Sequence, residues 1–74
     1  MIITIEAKVR ETLLRYGNGK PHYHAYLLVN GHVISFYPCS RKTPQGARDL
    51  ANRVAAERVK EELYFGNVVT LIRA

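Results

Sequence analysis

The sequence predicts an α+β fold in which one helix packs across one face of an antiparallel β-sheet. Three β-prone runs precede a helical pattern, and an Asn-Gly pair joins the second run to the third. Residues 22 to 29 and 32 to 38 are expected to form a hairpin around Asn30-Gly31, because both central positions of such a tight turn need a positive φ. The predicted element order is β-β-β-α-β, within a single domain spanning residues 1–74.

The first predicted strand covers residues 2 to 10, where apolar and polar side chains alternate as in a half-buried strand. The alternation slips at Leu13-Leu14, which predicts a bulge or a strand end. A loop is predicted at Gly17-Asn18-Gly19. The apolar positions of the strand are Ile3, Ile5, Ala7 and Val9, and the polar positions are Thr4, Glu6, Lys8 and Arg10.

The single predicted helix runs from Thr43 to Leu63. Thr43 followed by Pro44 is a start signal, because Thr caps a free amide and Pro gives up only an amide without a partner. Gly66 supplies the stop. Arg58 interrupts the apolar face and is expected to extend its stem along the sheet edge. The inward positions at helical spacing are Ala47, Leu50, Ala51, Val54 and Ala55.

The last predicted strand covers residues 67 to 73 and can return beside the first strand. The Asn-Gly turn also fixes a register, because a two-residue loop sets Val29 opposite His32, Leu27 opposite Ile34, and Ala25 opposite Phe36. That apolar set is predicted to face the helix, so that Leu27, Val29, Ile34, Phe36, Leu50 and Val54 are buried together. The other set defines the outer face: His22, His24, Tyr26, Leu28, Val33, Ser35, Tyr37 and Cys39, joined by Lys8 and Arg10 if the first strand pairs in phase.

Charge and cysteine content limit the classes of partner and compartment. The chain has 74 residues and a formal net charge of +5, which favours nucleic acid, an anionic membrane or an acidic protein surface. No apolar run approaches the roughly 20 residues of a membrane span, and the start does not look like a signal peptide. The single cysteine, Cys39, excludes an internal disulfide. We therefore expect a cytoplasmic protein with no membrane partner.

The outer face is the candidate binding surface. Tyr26 and Tyr37 can stack on bases, and His24 shares their face. Lys8, Arg10, Arg41 and Lys42 can meet phosphates. The alternative is a sheet whose open face carries Tyr for β-propensity and basic residues for solubility.

The same face carries residues that could serve two further chemistries. The predicted register puts Cys39 opposite His22, so that His22, His24 and Cys39 can converge as zinc would need, but no fourth ligand is evident. A Cys-His pair can supply a nucleophile, but no acid is spaced to orient a His. We expect no bound metal, no cofactor and no catalytic activity.

The run from Tyr23 to Tyr37, followed by Ser40-Arg41-Lys42-Thr43 and an Ala-rich helix, resembles the three-strand-plus-helix arm-type DNA-binding domains of phage and transposon integrases. Those domains are similar in plan to plant AP2 domains, and the resemblance implies a sheet that lies in the major groove. The final strand departs from that pattern. The strand-hairpin-helix ending also resembles the later part of a double-stranded-RNA-binding domain, whose first helix is missing. In size and plan the chain is similar to small phage accessory proteins, including anti-CRISPR inhibitors.

These observations favour a small basic nucleic-acid-binding module, of the kind found as phage or mobile-element accessory proteins. The alternative is a phage-type, anti-CRISPR-like inhibitor or an adaptor. Such a protein would bind a host nucleic-acid-handling protein complex through the same face, because Tyr and Arg are favoured in interface centres.

Overall fold

The computed structural model describes the backbone of residues 1–16 and 20–74, and the side chains of these residues except 13–16. The described residues form one helix and five strands, which confirms the α+β class. No helix in these ranges is long and apolar enough to cross a membrane. In chain order the elements are β1 (Ile2–Tyr16), β2 (Lys20–Val29), β3 (His32–Ile34), β4 (Ser40–Arg41), α1 (Pro44–Tyr64) and β5 (Val68–Ile72).

The strands form one mixed sheet in the order β3-β2-β1-β5, with β4 also paired to β2. The β1–β2, β2–β3 and β2–β4 pairs are antiparallel. The last strand lies beside the first, as the sequence suggested, but β5 runs parallel to β1. The sheet is mostly antiparallel, as predicted, and the β1–β5 pair makes it mixed. The reason is that α1 carries the chain back to the end where β1 begins, as a crossover helix does between parallel strands. There the Val68 amide donates to the Met1 carbonyl at 2.9 Å.

The core lies between α1 and the inner face of the sheet. Alanine dominates the side of α1 that faces the sheet, so that the helix can approach the sheet closely. Four residues that were predicted to be buried, Val29, Ile34, Phe36 and Val54, are only partly buried and pack against the margin of this core. The buried core residues are Ile3, Ile5, Ala7, Ala25, Leu27, Ala47, Leu50, Ala51 and Ala55.

Both predicted helix ends are confirmed. The hydroxyl oxygen of Thr43 accepts a hydrogen bond from the Gly46 amide at 3.0 Å, and Pro44 opens the helix. Gly66 follows with φ of 85°, and its amide donates to the Leu63 carbonyl at 3.0 Å. A positive φ there suits glycine, which has no Cβ to clash. The helix therefore starts and stops where the sequence places it.

Arg58 has a partner on its own helix. Its Nε lies 3.2 Å from Oε1 of Glu62, one turn further along α1. The other carboxylate oxygen of Glu62 accepts a hydrogen bond from Asn67 Nδ2 at 2.7 Å. The guanidinium is partly buried, and this chain of contacts ties the end of α1 to the residue before β5.

The Asn30-Gly31 turn joins β2 to β3 and also holds β1. Asn30 has φ of 50° and Gly31 has φ of 83°, as the predicted turn requires. The Thr4 amide donates to Asn30 Oδ1 at 2.8 Å, and the Asn30 amide donates to the Thr4 carbonyl at 2.8 Å. One asparagine therefore fixes the turn and the register of the neighbouring strand.

The predicted hairpin register holds as far as Ile34 and fails beyond it. Leu27 pairs with Ile34 and Val29 with His32. The same register would set Tyr37 opposite His24, but Ser40 occupies that place. Pro38 has no amide to donate to a ladder, so residues 35–39 leave the sheet before β4 rejoins it. The predicted pairing of Ala25 with Phe36 is wrong for the same reason.

The predicted phase of β1 is confirmed, with Lys8 opposite Tyr26 and Arg10 opposite His24. The register between β1 and β2 shifts between Glu11 and Arg15, where the sequence predicted a bulge. The loop predicted at Gly17-Asn18-Gly19 lies outside the described residues.

We predict that Leu27→Ala lowers the free energy of unfolding by about 2–5 kcal/mol, because it opens a cavity in the core. Leu27 is 2% exposed, whereas Leu63, at 55%, offers a control with the same chemistry. Urea denaturation of both variants measures the difference. Equal losses of stability in Leu27→Ala and Leu63→Ala would contradict the assignment of the core.

We predict that Asn30→Ala destabilises the fold by about 2 kcal/mol, through the lost hydrogen bond to Thr4 and the cost of a positive φ. Asn30→Asp keeps an acceptor at the same place and tolerates that φ, so it should unfold close to the parent. Thermal melts of the two variants at neutral pH give the comparison. If Asn30→Ala and Asn30→Asp have the same melting temperature, the hydrogen bond from the Thr4 amide to the Asn30 side chain contributes nothing to stability.

Candidate nucleic-acid interface

The outer face of the sheet carries a shallow depression of about 180 Å³. Its walls come from four successive parts of the chain, because β1, β2 and β3 lie side by side and residues 35–39 bend back over their edge. The depression opens to solvent on the side of the sheet opposite α1. Its lining residues are Arg10, His24, Ala25, Tyr26, Val33, Ser35 and Cys39.

Arg10 and Tyr26 form the central contact of this depression. The guanidinium carbon of Arg10 lies 6.0 Å from the centroid of the Tyr26 ring, within the range of a cation–π interaction. The pairing of β1 with β2 produces this contact, since Arg10 lies opposite His24 and one outer-face position along from Tyr26. A cation, a phenol ring and an imidazole therefore lie on one small surface.

Lys8 lies beside this group, directly opposite Tyr26. Its ammonium nitrogen is 3.3 Å from a carboxylate oxygen of Glu6, two residues earlier on the same face of β1. Both side chains are partly exposed, so solvent screens the pair and its contribution to stability is small. The carboxylate nonetheless offsets part of the Lys8 charge, which leaves Arg10 as the stronger cation of the outer face.

Arg41 does not lie on the outer face. It pairs with Tyr23, whose side chain points to the helix side, and directly opposed residues of paired strands share a face. Arg41 also lies close to the first turn of α1, since a Cβ added at Gly46 would be 3.5 Å from the Arg41 Cβ. The Arg41 guanidinium donates to the Ser40 carbonyl at 2.8 Å. The sequence grouped Arg41 with the outer-face residues, and the strand alternation places it on the opposite side.

Tyr37 is also separated from the predicted group. It is 95% exposed and lies in the segment that leaves the ladder before β4. It is not among the residues that line the depression. Lys42 is exposed between β4 and the helix cap. Of the seven predicted binding residues, the structure thus brings Arg10, His24 and Tyr26 together, with Lys8 adjacent.

The three candidate zinc ligands do not form the predicted arrangement. Cys39 lies beside Ala25, whose amide donates to the Cys39 carbonyl at 2.9 Å, rather than opposite His22. The predicted opposition of Cys39 and His22 is wrong, because residues 35–39 add length before β4 pairs. Within the described part of the chain, no three His, Cys, Asp or Glu side chains are placed to hold a metal ion.

Charge is distributed unevenly along α1. Its first turn contains no acidic residue and its last turn no basic one. Arg41 and Lys42 precede the first turn. The first half of the helix carries Arg48 and Arg53 with Asp49, whereas the second half carries Glu57, Glu61 and Glu62 with Arg58 and Lys60. The positive end of the helix dipole and the cations near it reinforce each other. Because Ser40 pairs with His24, this positive end lies next to the strand that carries the depression.

Sequence reasoning placed Val33, Ser35 and Cys39 on the outer face but did not assign them to the site. The Asn-Gly register was the signal that located Val33, and it extended no further than Ile34. Ser35 and Cys39 also line the depression, but they belong to the irregular segment 35–39. Neither hydrophobic periodicity nor strand register predicts the position of residues in such a segment.

No protein-family model matches the chain, and neither the curated proteins nor the solved structures contain a match to it. The resemblance to integrase arm-type domains and to small phage accessory proteins therefore stays a prediction. What the outer face binds must be argued from its own geometry.

We predict that the purified protein carries no stoichiometric zinc and that a chelator leaves its melting temperature unchanged. The reason is that His22, His24 and Cys39 do not converge on one point in the described part of the chain. Elemental analysis and a melt with and without EDTA measure this. About one equivalent of zinc, lost together with stability on chelation, would contradict the geometry.

Proposed function

We propose that the chain is a small nucleic-acid-binding module that holds a single strand on the outer face of its sheet. The observation that carries this proposal is the contact of Arg10 with the Tyr26 ring beside His24, in an open depression. Aromatic rings and Arg guanidinium planes are the groups on which unpaired bases stack. Phosphates on either side of a stacked base would meet the same guanidinium.

The size of the depression supports a single base rather than a duplex. Its volume is only about 180 Å³. That space suits one planar ring. Tyr26 is partly buried in β2, so its ring is held in place before the base arrives. A pre-positioned ring loses little conformational freedom on binding.

The charge of the chain supports a polyanionic partner. The formal net charge is +5, and Arg10 lines the depression with Lys8 beside it. A strand that crosses Tyr26 and Arg10 can continue toward Lys42, which is exposed. Each phosphate that a cation neutralises releases a counterion, so the affinity should fall as salt increases.

We further propose that the protein acts in a cytoplasm as a binding module, without catalysis or a cofactor. In support, the single cysteine, Cys39, is free and leaves the fold independent of an oxidising compartment. The expectation of a phage or mobile-element origin stays a prediction with no further support.

A second candidate function is the capture of a protein, as an inhibitor or adaptor would perform. Exposed aromatic residues at the end of α1 favour it. Tyr64 is 86% exposed and Phe65 is 68% exposed, and their rings meet edge to face with centroids 5.6 Å apart. Exposed aromatic residues of this kind are frequent anchors of protein interfaces. They lie at the end of the helix away from the positive cap, so this surface and the depression can be tested separately.

The test is a fluorescence-anisotropy titration of a short labelled single strand at several salt concentrations. Tyr26→Ala should weaken binding by roughly 1–3 kcal/mol, because one stacking platform is lost, and should leave the salt dependence unchanged. Arg10→Gln should reduce the slope of log affinity against log salt by about 0.7, which is the value of one phosphate contact on a single strand.

Matched controls lie elsewhere on the same chain. Tyr64→Ala removes an exposed tyrosine, and Arg53→Gln removes an exposed arginine on the solvent side of α1. Both should bind like the parent. Equal losses of single-strand affinity in Tyr26→Ala and Tyr64→Ala would overturn the assignment of the site. A parent that binds no single strand even at low salt would leave protein capture through Tyr64 and Phe65 as the better proposal.

A further inference from the structure

Strand β5 forms an open edge of the sheet, since the strand order ends with it. Its five residues, Val68–Ile72, include no charged residue and no proline. Natural proteins usually protect such an edge with lysine, proline or a bulge, because its unpaired backbone groups can accept another strand. Within the described residues the opposite side of the sheet differs, because β3 and β4 are short and are separated by residues 35–39.

The direction of the free backbone groups follows from one hydrogen bond. The Val68 amide donates to the Met1 carbonyl, so Val68 points its backbone groups at β1. In a parallel pair these groups alternate along the strand, which sends those of Thr70 and Ile72 to β1 as well. The amides and carbonyls of Val69 and Leu71 are left pointing to the open edge.

This pattern is self-complementary about Thr70. If a second β5 lies antiparallel with Thr70 opposite Thr70 of the partner subunit, each Val69 faces the partner's Leu71. The two residues of each such pair can exchange both of their backbone hydrogen bonds, as a closely spaced antiparallel pair does. A two-fold axis through the Thr70 pair produces this arrangement, and one isologous contact closes the assembly as a dimer.

The side chains on the outer face of the edge fit the same register. On the outer face Val68 comes opposite the partner's Ile72, and both are exposed in the single chain. Ile2, which is also exposed, lies beside Val68 on β1 and extends the apolar row. Apolar pairs directly across two strands stabilise a sheet.

The charges around this edge do not oppose a copy of the same chain. The register brings Arg73, which is exposed, opposite Asn67 of the partner subunit. Asn67 Nδ2 donates to the Glu62 carboxylate, which is already paired with Arg58 of its own chain, so Arg73 approaches an ion pair rather than a free carboxylate across the axis. The uncharged edge itself places no like charges together, although each chain carries a net charge of +5.

We propose that the protein forms a two-fold dimer in which the β5 strands of two copies pair antiparallel about Thr70. The two sheets then continue as one, with both outer faces on the same side. The proposal does not depend on what the outer face binds.

Sedimentation equilibrium on the parent provides the first test. The interface is short, so it belongs with weak contacts, and the dimer fraction should increase between about 10 µM and about 1 mM protein. Thr70→Lys and Thr70→Glu should each be monomeric, because like charges then meet on the axis. An equimolar mixture of the two variants should restore a dimer. A parent that stays monomeric at about 1 mM, or a mixture that stays monomeric, would overturn the proposal.

Cross-linking tests the register independently of the charge variants. Thr70 should form a non-hydrogen-bonded antiparallel pair with its copy, with a Cα separation of about 4.5 Å, which a disulfide can bridge. Thr70→Cys in a Cys39→Ser background should therefore oxidise to a covalent dimer. Ser35→Cys in the same background serves as the control and should remain monomeric. Equal cross-linking of the two variants, or none in Thr70→Cys, would contradict pairing about Thr70.

Discussion

The contact between the alanine side of α1 and the centre of β1 is the interaction on which the rest of the structure depends. Ala51 and Ala55 are fully buried in one cluster with strand residues that include Ile5, which is also fully buried. Small side chains let the helix axis lie close to the sheet, so little volume has to be filled by large ones. A domain of this size has few other ways to build a core. Burial of the inner face by α1 leaves the opposite face of the sheet open to solvent.

The open face follows from that arrangement, and its chemistry follows from strand phase. The hydrogen bonds between Asn30 and Thr4 fix β1 against the β2–β3 turn. The resulting register of β1 and β2 places Arg10 beside His24 and near Tyr26. A slip of β1 by one residue against β2 would turn Arg10 toward the helix and separate it from His24 and Tyr26. The geometry of the candidate site is therefore set by a turn at the other end of the strands, through backbone pairing rather than through side-chain contacts.

Much of this could be predicted from the sequence, because local signals were strong where they existed. The Thr43-Pro44 cap, the Gly66 stop and the Asn-Gly register each have one physical cause that acts within a few residues. The prediction failed where long-range geometry decided the outcome. Neither the parallel pairing of β5 nor the extra length of residues 35–39 can be derived from periodicity. Tyr37 and Arg41 were therefore misplaced relative to the site, and Cys39 was set opposite the wrong residue. His24, Tyr26 and Arg10 were placed correctly because they lie within regularly paired strands.

The proposed role of the outer face is tested most directly by a ¹⁵N-detected NMR titration of the parent with a short single strand at low salt. If the strand crosses the depression, the largest shifts should fall on the amides of Arg10, His24 and Tyr26 and on neighbouring Lys8. The amides of Tyr64 and Phe65, at the far end of α1, should not move. Shifts concentrated at Tyr64 and Phe65, or on the helix side around Arg41 and Arg48, would contradict binding by the outer face.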